Sequence, residues 1–296
     1  MKGIVLAGGT GSRLWPITIS TSKQLVPVYD KPMIYYPIST LLLAGVRDIL
    51  IITTPSDQAS FQKLLGDGAK FGIRLTYAAQ SVPEGIAQAL IIAKEFLRDD
   101  SCLLILGDNI FHGAGLGNNL RTEIPKSGAH IFTYIVDHPS EYGVLEVDDK
   151  GNPISIEEKP ANPKSSLAVT GLYFFDNRAI GVAEKIEPSA RGELEITSVI
   201  EYYLKSKELT YTNLSRGTVW LDTGNPKSLH DASSYIRVIE ERTGLKIGCI
   251  EEISFQNGWL TKEKLQEQIL LMKNAEYNKY LAKIIEYPIK SLRNKS

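Results

Sequence analysis

Three glycines, an arginine and a lysine within the first 24 residues are spaced to hold a polyphosphate. Gly3–Ala7 is a short apolar run, Gly8-Gly9-Thr10-Gly11-Ser12-Arg13 follows it directly, and Lys23-Gln24 comes ten residues later. Glycines carry no Cβ, so the backbone can turn tightly and bring its N–H groups close to a phosphate. Arg13 adds a planar fork of donors and Lys23 a movable point charge. From the glycines alone, a plain turn at a strand end is the alternative; the two cations weigh against it. The P-loop pattern is absent, because no Lys-Ser or Lys-Thr follows a glycine. The dinucleotide fingerprint would need a glycine at position 14, where Leu14 stands. Pro16 and the mostly polar run Thr18–Ser22 argue against a long helix directly after the loop, so the helix N-terminus that anchors a dinucleotide pyrophosphate is not expected.

Two aspartates end apolar runs. Leu103-Leu104-Ile105-Leu106 passes into Gly107-Asp108-Asn109, and Val219-Trp220-Leu221 into Asp222-Thr223-Gly224. A carboxylate at the carboxyl end of a buried strand sits where open α/β sheets bind ligands, and its charge needs a cation or donors. Beside a phosphate loop, Mg²⁺ suits both aspartates, since it favours carboxylate and phosphate oxygens. A simple turn aspartate remains the other reading of Asp108, and core packing is the preferred reading of Trp220. Glu157-Glu158-Lys159-Pro160 closes a further strand. Adjacent strand residues face opposite ways, so Glu158 and Lys159 can share a direction only if the strand ends there, as Pro160 suggests. They fit sugar hydroxyls and a second phosphate, or equally a surface ion pair. The histidines at 112, 130, 138 and 230 have neither metal-ligand spacing nor a nucleophile partner, so a zinc site and a Ser-His-Asp hydrolase lack support.

These residues need a scaffold, and the pattern supplies one. Gly3–Ala7, Asp48–Thr53, Arg74–Ala79 and Cys102–Leu106 read as strands, the first, second and fourth almost wholly apolar, as parallel strands covered on both faces are. Met33–Ala44, Asp57–Leu65 and Ile86–Arg98 carry helical spacing between them. The alternation predicts an α/β fold, a doubly wound, mostly parallel sheet with ligands at the carboxyl ends of its strands. His130–Asp137, Val144–Val147, Ile154–Glu157 and Ala168–Phe175 read as an antiparallel extension, with a turn at Lys150-Gly151-Asn152-Pro153. Glu193–Leu204 and Lys227–Arg242 are helical, Thr218–Leu221 is a short strand, and 261–273 and 276–286 form C-terminal helices. The expected division is an α/β core over 1–242 and a helical extension over 243–296 on the same core.

The 296 residues carry a formal net charge of -1, which disfavours nucleic acid as the main partner and requires any anion site to be local. Cys102 and Cys249, far apart and beside apolar runs, read as buried free thiols. With no signal-peptide pattern and no apolar run of ~20 residues, a cytoplasmic protein without membrane contact is expected.

The glycine loop, Lys23-Gln24, Gly107-Asp108-Asn109, Glu158-Lys159 and Leu221-Asp222-Thr223-Gly224 together resemble the sugar-nucleotidyltransferases, and among them the glucose-1-phosphate thymidylyltransferase family. The likeness runs essentially end to end. It includes Asp30-Lys31-Pro32-Met33-Ile34-Tyr35-Tyr36-Pro37, Leu65-Gly66-Asp67-Gly68 and Arg191-Gly192-Glu193-Leu194-Glu195-Ile196-Thr197. The resemblance implies a Rossmann-like, GT-A-like sheet and Mg²⁺-dependent transfer of a thymidylyl group from dTTP to glucose 1-phosphate. The products would be pyrophosphate and dTDP-glucose, the latter for dTDP-rhamnose synthesis. It implies that Gly8, Gly9, Gly11, Ser12 and Arg13 wrap the triphosphate, and that Lys23 stabilises the α-phosphoryl charge. Gln24, Gln80 and Gly85 would read the thymine, and Asp108 and Asp222 would hold Mg²⁺. Asn109, Tyr142, Gly143, Glu158 and Val169 would line the sugar site, with Lys159 on the sugar phosphate. A homotetramer is implied too, with a regulatory nucleotide site around His112, Gly113, Arg216, Glu251 and Glu252. The chain departs from the family at Ser12, where threonine is common, at Trp15, and at Asn225-Pro226-Lys227 after the Asp-Thr-Gly segment.

Overall fold

The computed structural model describes residues 1–9, 11–271 and 275–286. Thr10 of the glycine loop, the end of the expected helix 261–273 and residues 287–296 of the extension lie outside the described residues. The main strands are β1 (Lys2–Ala7), β2 (Asp48–Thr53), β3 (Arg74–Ala79), β4 (Cys102–Leu106), β5 (Asn109–His112), β6 (Ala129–Ile135), β7 (Gly143–Val147), β8 (Pro153–Glu158), β9 (Leu167–Phe175), β10 (Leu209–Asn213) and β11 (Val219–Asp222).

Strands β4, β1, β2 and β3 lie side by side and parallel. Alternate residues of β1 enter opposite cores, which explains its unbroken apolar run. Val5 joins Ile38, Leu41, Ile51 and Ile105 under the helix Tyr35–Leu43, whereas Ile4 joins Leu50, Leu90, Leu104 and Ile200 on the other face. Both sides of the strand are covered, so no polar alternation survives.

Strand β9 turns the parallel half into a mixed sheet. Along one edge it runs antiparallel to β4 over Leu172–Phe175, then meets β7 at Ala168. Its other edge pairs with β6, with a register shift between Val169 and Tyr173. The hairpin β7–β8 and strand β10, parallel to β6, complete the sheet. A strand with two successive partners on one edge leaves a gap where the first ends. Gly171 lies in that gap, beside the end of β4.

Several boundaries differ from the sequence reading for local reasons. The expected helix Ile86–Arg98 is two short helices, Gln88–Ile92 and Lys94–Leu97, ended by Arg98 at φ 52°. The expected helix Glu193–Leu204 begins only at Ile196, because Leu194 bonds backbone to backbone with Glu84 and Ala87 and Glu195 after it is extended. Of Met33–Ala44, Tyr35–Leu43 is helical.

The C-terminal segment packs on the core through Ile250 and Ile253, which share a cluster with Ile38. A buried ionic knot fastens it further. Lys31 bonds Asp30 and Glu240, and Lys246 bonds Asp30 and Glu240 while its ammonium lies over the rings of Tyr277 and Tyr280. Cys102 and Cys249 are buried and free. Among the described residues no helix is long and apolar enough to cross a membrane.

Asp176 locks the far end of β9. Its carboxylate accepts from Gly128 N (2.8 Å), Tyr203 Oη (2.7 Å) and Arg178 Nη2 (2.6 Å). Burial alone would raise its pKa, but the bonds from Arg178, Tyr203 and Gly128 outweigh that and hold it below the usual carboxylate range. A depressed folded pKa gives stability that is full above the unfolded value and fades as pH falls through the folded one. Asp176→Ala is therefore expected to cost about 3 kcal/mol at pH 7. In urea melts, the gap from wild type should narrow below pH ~4.

Candidate active site

The end of β1 and the end of β4 lie next to each other, so the glycine loop and Gly107-Asp108 meet at one rim. Gly107 N donates to Leu6 O (2.9 Å) and continues the pairing past the strand. Gly11 is left-handed (φ 62°) and leads into a single 3-10 turn over Ser12–Leu14, so no long helix follows the loop. A second such turn, Lys23–Leu25, aims Lys23 inward. Its ammonium lies 2.5 Å from Asp108 Oδ2, although the two are 85 residues apart in sequence.

Asp222 arrives by strand pairing. β11 runs antiparallel to β5 with Asp222 opposite Asn109, and the Thr223 hydroxyl donates to Asp108 O (2.8 Å). The two aspartates expected from sequence therefore share one cavity of about 200 Å³ with Arg13, Glu158 and Lys159. Their electrostatics diverge. Burial disfavours the Asp108 carboxylate, yet the Lys23 ammonium and the bonds from Lys23 and Asn109 overcome this and keep its pKa low. Asp222 is pushed up to about 6, first by burial and then by repulsion from Asp108, with Lys23 and Arg13 only partly opposing. Burial and the neighbouring carboxylate together outweigh the pull of the two cations.

These two carboxylates are hard oxygen donors that repel each other, which fits a divalent cation completed by phosphate oxygens. Among the described residues no group of three or more His, Cys, Asp or Glu forms a full cage. Two carboxylates plus substrate oxygens is the set that such a cation takes at nucleotide sites.

Asn109 braces this corner. Its Oδ1 accepts from Trp220 Nε1 (2.6 Å) and Gly171 N (3.2 Å), which turns its Nδ2 toward Asp108 Oδ1 (2.8 Å). Trp220 also meets Tyr142 and Tyr134 edge-on and lines the cavity, so its ring packs in the core and borders the site, while its N–H orients Asn109. A Cβ at Gly171 would stand 2.7 Å from Asn109 Oδ1 and 2.8 Å from Leu106 Cδ1. Gly171→Ala should displace Asn109 and lower kcat roughly tenfold or more, for a loss of about one oriented hydrogen bond. An unchanged kcat in a folded variant would remove Asn109 from the positioning role.

Across the cavity, β8 ends at Glu158, and Lys159 leaves the strand at φ 46°. That turn lets both residues line the cavity, the condition set by the sequence reading. The pKa of Glu158 is raised, by burial first and Glu195 second, against the pull of Lys159 and Arg191. Arg191 reaches toward Glu158 (3.7 Å), Glu195 (3.8 Å) and Glu193 (2.7 Å). Tyr142, Gly143, Val169 and Thr197 complete the wall.

Gln24 and Gln80 are buried at the rim of the glycine loop, where a Cβ at Gly8 would strike Gln80 Oε1 and one at Gly107 would meet Gln24 Cγ at 2.9 Å. Gly85 (φ 113°) is crossed so closely by the Leu194 backbone that a side chain has no room. His112 bonds Tyr235 Oη (2.7 Å), Gly113 packs on Thr218, and Arg216 bridges to Thr218. Glu251 and Glu252 share none of these contacts; Tyr277 and Tyr280 donate to them at 2.6 Å. Reasoning from the residues gave no role to Gln88, Arg191, Glu195 or Thr197. Arg191, Glu195 and Thr197 stood only in a segment quoted for the family likeness, and Gln88 carried no signal.

The family profile described as nucleotidyl transferase matches residues 2–238. The chain belongs to the nucleotidyl transferase family. Its relatives extend the match over nearly the whole length. A glucose-1-phosphate thymidylyltransferase of Neisseria meningitidis serogroup A is 52% identical over 287 residues, covering 97% of this chain and 100% of its own. One from Mycolicibacterium smegmatis is 52% identical over 286 residues, covering 97% and 99%. This chain is a nucleotidyltransferase, and by these matches it groups with the glucose-1-phosphate thymidylyltransferases within the family. A Bacillus anthracis protein assigned to that group, solved with sucrose, is 43% identical with a TM-score of 0.74 over 80% of this chain and 95% of its own. A UDP-glucose pyrophosphorylase solved with UDP-glucose shares the fold (TM-score 0.72, 80% and 98% covered) at 20% identity. The α/β nucleotidyltransferase fold expected from the sequence is thus the fold of solved members.

Proposed function

We propose that the cavity joins dTTP to glucose 1-phosphate, giving dTDP-glucose and pyrophosphate. The observation that carries this reading is the meeting of Arg13, Asp108, Asp222, Glu158 and Lys159 in one cavity, with Lys23 paired to Asp108. The names of the near full-length relatives support the choice of substrates.

In this reading the glycine loop and Arg13 hold the triphosphate, and Gln24, Gln80 and Gly85 face the thymine. Tyr142, Gly143, Glu158 and Val169 hold the glucose, and Lys159 its phosphate. A glucose 1-phosphate oxygen attacks the α-phosphorus in line. A new P–O bond forms as the bond to the β-phosphate oxygen breaks. The attacking phosphate is already ionised at neutral pH, so no side chain need remove a proton. Lys23 is placed to meet charge that grows on the α-phosphoryl oxygens, and Arg13 charge on the departing pyrophosphate. Mg²⁺ would be held by Asp108 and Asp222 and supplies neutralisation of the phosphate charge. Catalysis by these residues is positioning and electrostatic preorganisation.

A substrate panel read by pyrophosphate release tests the assignment. Turnover should require a divalent cation and be fastest with dTTP and glucose 1-phosphate. Faster turnover with UTP would make the protein a uridylyltransferase, a reading that differs by a methyl group on the base and a 2′-hydroxyl on the ribose. A homotetramer, with a regulatory site at His112, Gly113, Arg216, Glu251 and Glu252, is proposed on the family likeness alone. Light scattering and dTDP-sugar inhibition test these two points.

A further inference from the structure

We infer that Gln88, held by Glu84, is a positioning residue that fixes which end of the Gln80 amide is presented to the nucleotide base. This rests on the reading above that Gln80 faces the base.

An isolated glutamine can present either its donor or its acceptor, because the two ends of the amide have the same shape. Here the ambiguity is removed from outside. Gln88 Nε2 donates to Glu84 Oε2 (2.7 Å), and Gln88 Oε1 accepts from Glu84 N (3.2 Å). A carboxylate cannot donate and a backbone N–H cannot accept, so Gln88 has one satisfied orientation. Its Oε1 then accepts from Gln80 Nε2 (2.5 Å). Gln80 is thereby turned with its carbonyl oxygen toward the glycine loop, against Gly8. Gln80 is only 3% exposed, so a flip would set two carbonyl oxygens against each other with little water to screen them.

The polarity has a chemical consequence. An acceptor suits the N3–H of a pyrimidine imide, as in thymine or uracil. It opposes cytosine, whose N3 is itself an acceptor. Gln24 does not fix its own polarity in this way, because its Oε1 is bonded to the Ser22 hydroxyl (2.8 Å), which can rotate to donate or accept. The Glu84–Gln88–Gln80 chain is the part of the rim with a defined direction, and it sits outside the reacting groups.

The test compares kcat/KM for dTTP and dCTP in wild type, Gln88→Ala, Gln80→Ala and the exchanged variant Glu84→Gln/Gln88→Glu. In the exchange, the carboxylate now at position 88 still accepts from position 84 and from Gln80, so the direction is kept. Gln88→Ala should reduce the dTTP/dCTP ratio by about tenfold or more, the size of one correctly oriented hydrogen bond. The exchanged variant should restore the ratio to within a few-fold of wild type, and the KM for glucose 1-phosphate should stay unchanged in both. A purely structural role would lower Tm and the rates with both nucleotides alike and leave the ratio intact. If Gln80→Ala collapses the ratio and Gln88→Ala does not, the positioning role fails while the base-reading role stands. If Gln80→Ala also keeps the ratio, the base-reading role itself fails. An exchanged variant as unselective as Gln88→Ala overturns the proposal even if the alanine variant folds poorly.

Discussion

Lys23→Ala is expected to lower kcat by about 10²–10³-fold, with far smaller changes in either KM. The ammonium is almost wholly buried and lies 2.5 Å from Asp108, so its charge acts where water cannot replace it. In the ground state it neutralises a carboxylate. Under the proposed function it meets growing phosphoryl charge in the transition state, and that differential interaction would raise kcat. Removal also leaves the buried Asp108 carboxylate without its ion-pair partner and only Arg13 to offset the two aspartates, which should cost a few kcal/mol of stability. Stopped-time pyrophosphate assays and urea melts on the same preparation separate the two effects. Lys23→Arg should rescue stability better than turnover, since a guanidinium keeps the charge but spreads it over a wider planar fork. Near wild-type kcat in Lys23→Ala would remove the residue from the chemistry.

Asp222→Asn should do the opposite to stability while still abolishing most activity. The folded pKa of Asp222 stands at about 6 against an ordinary 3.8. A raised folded pKa means that the protonated form is favoured on folding. The associated stability is full below the unfolded pKa and is lost as pH rises through the folded one. At pH 7.5 in chelator, the ionised wild-type carboxylate is thus a burden on the order of 2 kcal/mol, which the amide avoids. The variant should melt higher than wild type at that pH, and the advantage should vanish near pH 4. Its kcat should fall about 10²-fold or more, since a charged oxygen donor is gone. A variant with no gain in Tm at pH 7.5 would mean that the Asp222 charge is already compensated in the folded protein.

Much of the scaffold was legible because it is written locally. The apolar runs of β1, β2 and β4 have to be covered on both faces, and Pro16 with the run Thr18–Ser22 already argued against a long helix directly after the loop. Asp108 and Asp222 stood out since each ends a run that must be buried. Their approach to each other was not legible. It depends on β11 pairing with β5 across a separation of more than a hundred residues, and no local pattern records such a partner. The same holds for Asn109, whose role is set by Trp220 and Gly171. Helix starts were misplaced where tertiary contacts override propensity, as at Leu194, whose backbone is bonded to Glu84 and Ala87 instead. Gln88 looks like one more polar residue on a short helix, and only its neighbours give it a direction.

The carbonyl oxygen of Asn109 is grasped at once by the indole of β11 and the backbone of β9. Both strands line the cavity, so one atom ties them together there. Neither strand can slide past the other without tearing that joint and freeing the amide from Asp108. The floor of the cavity at Asp108 is therefore held from two strands at once.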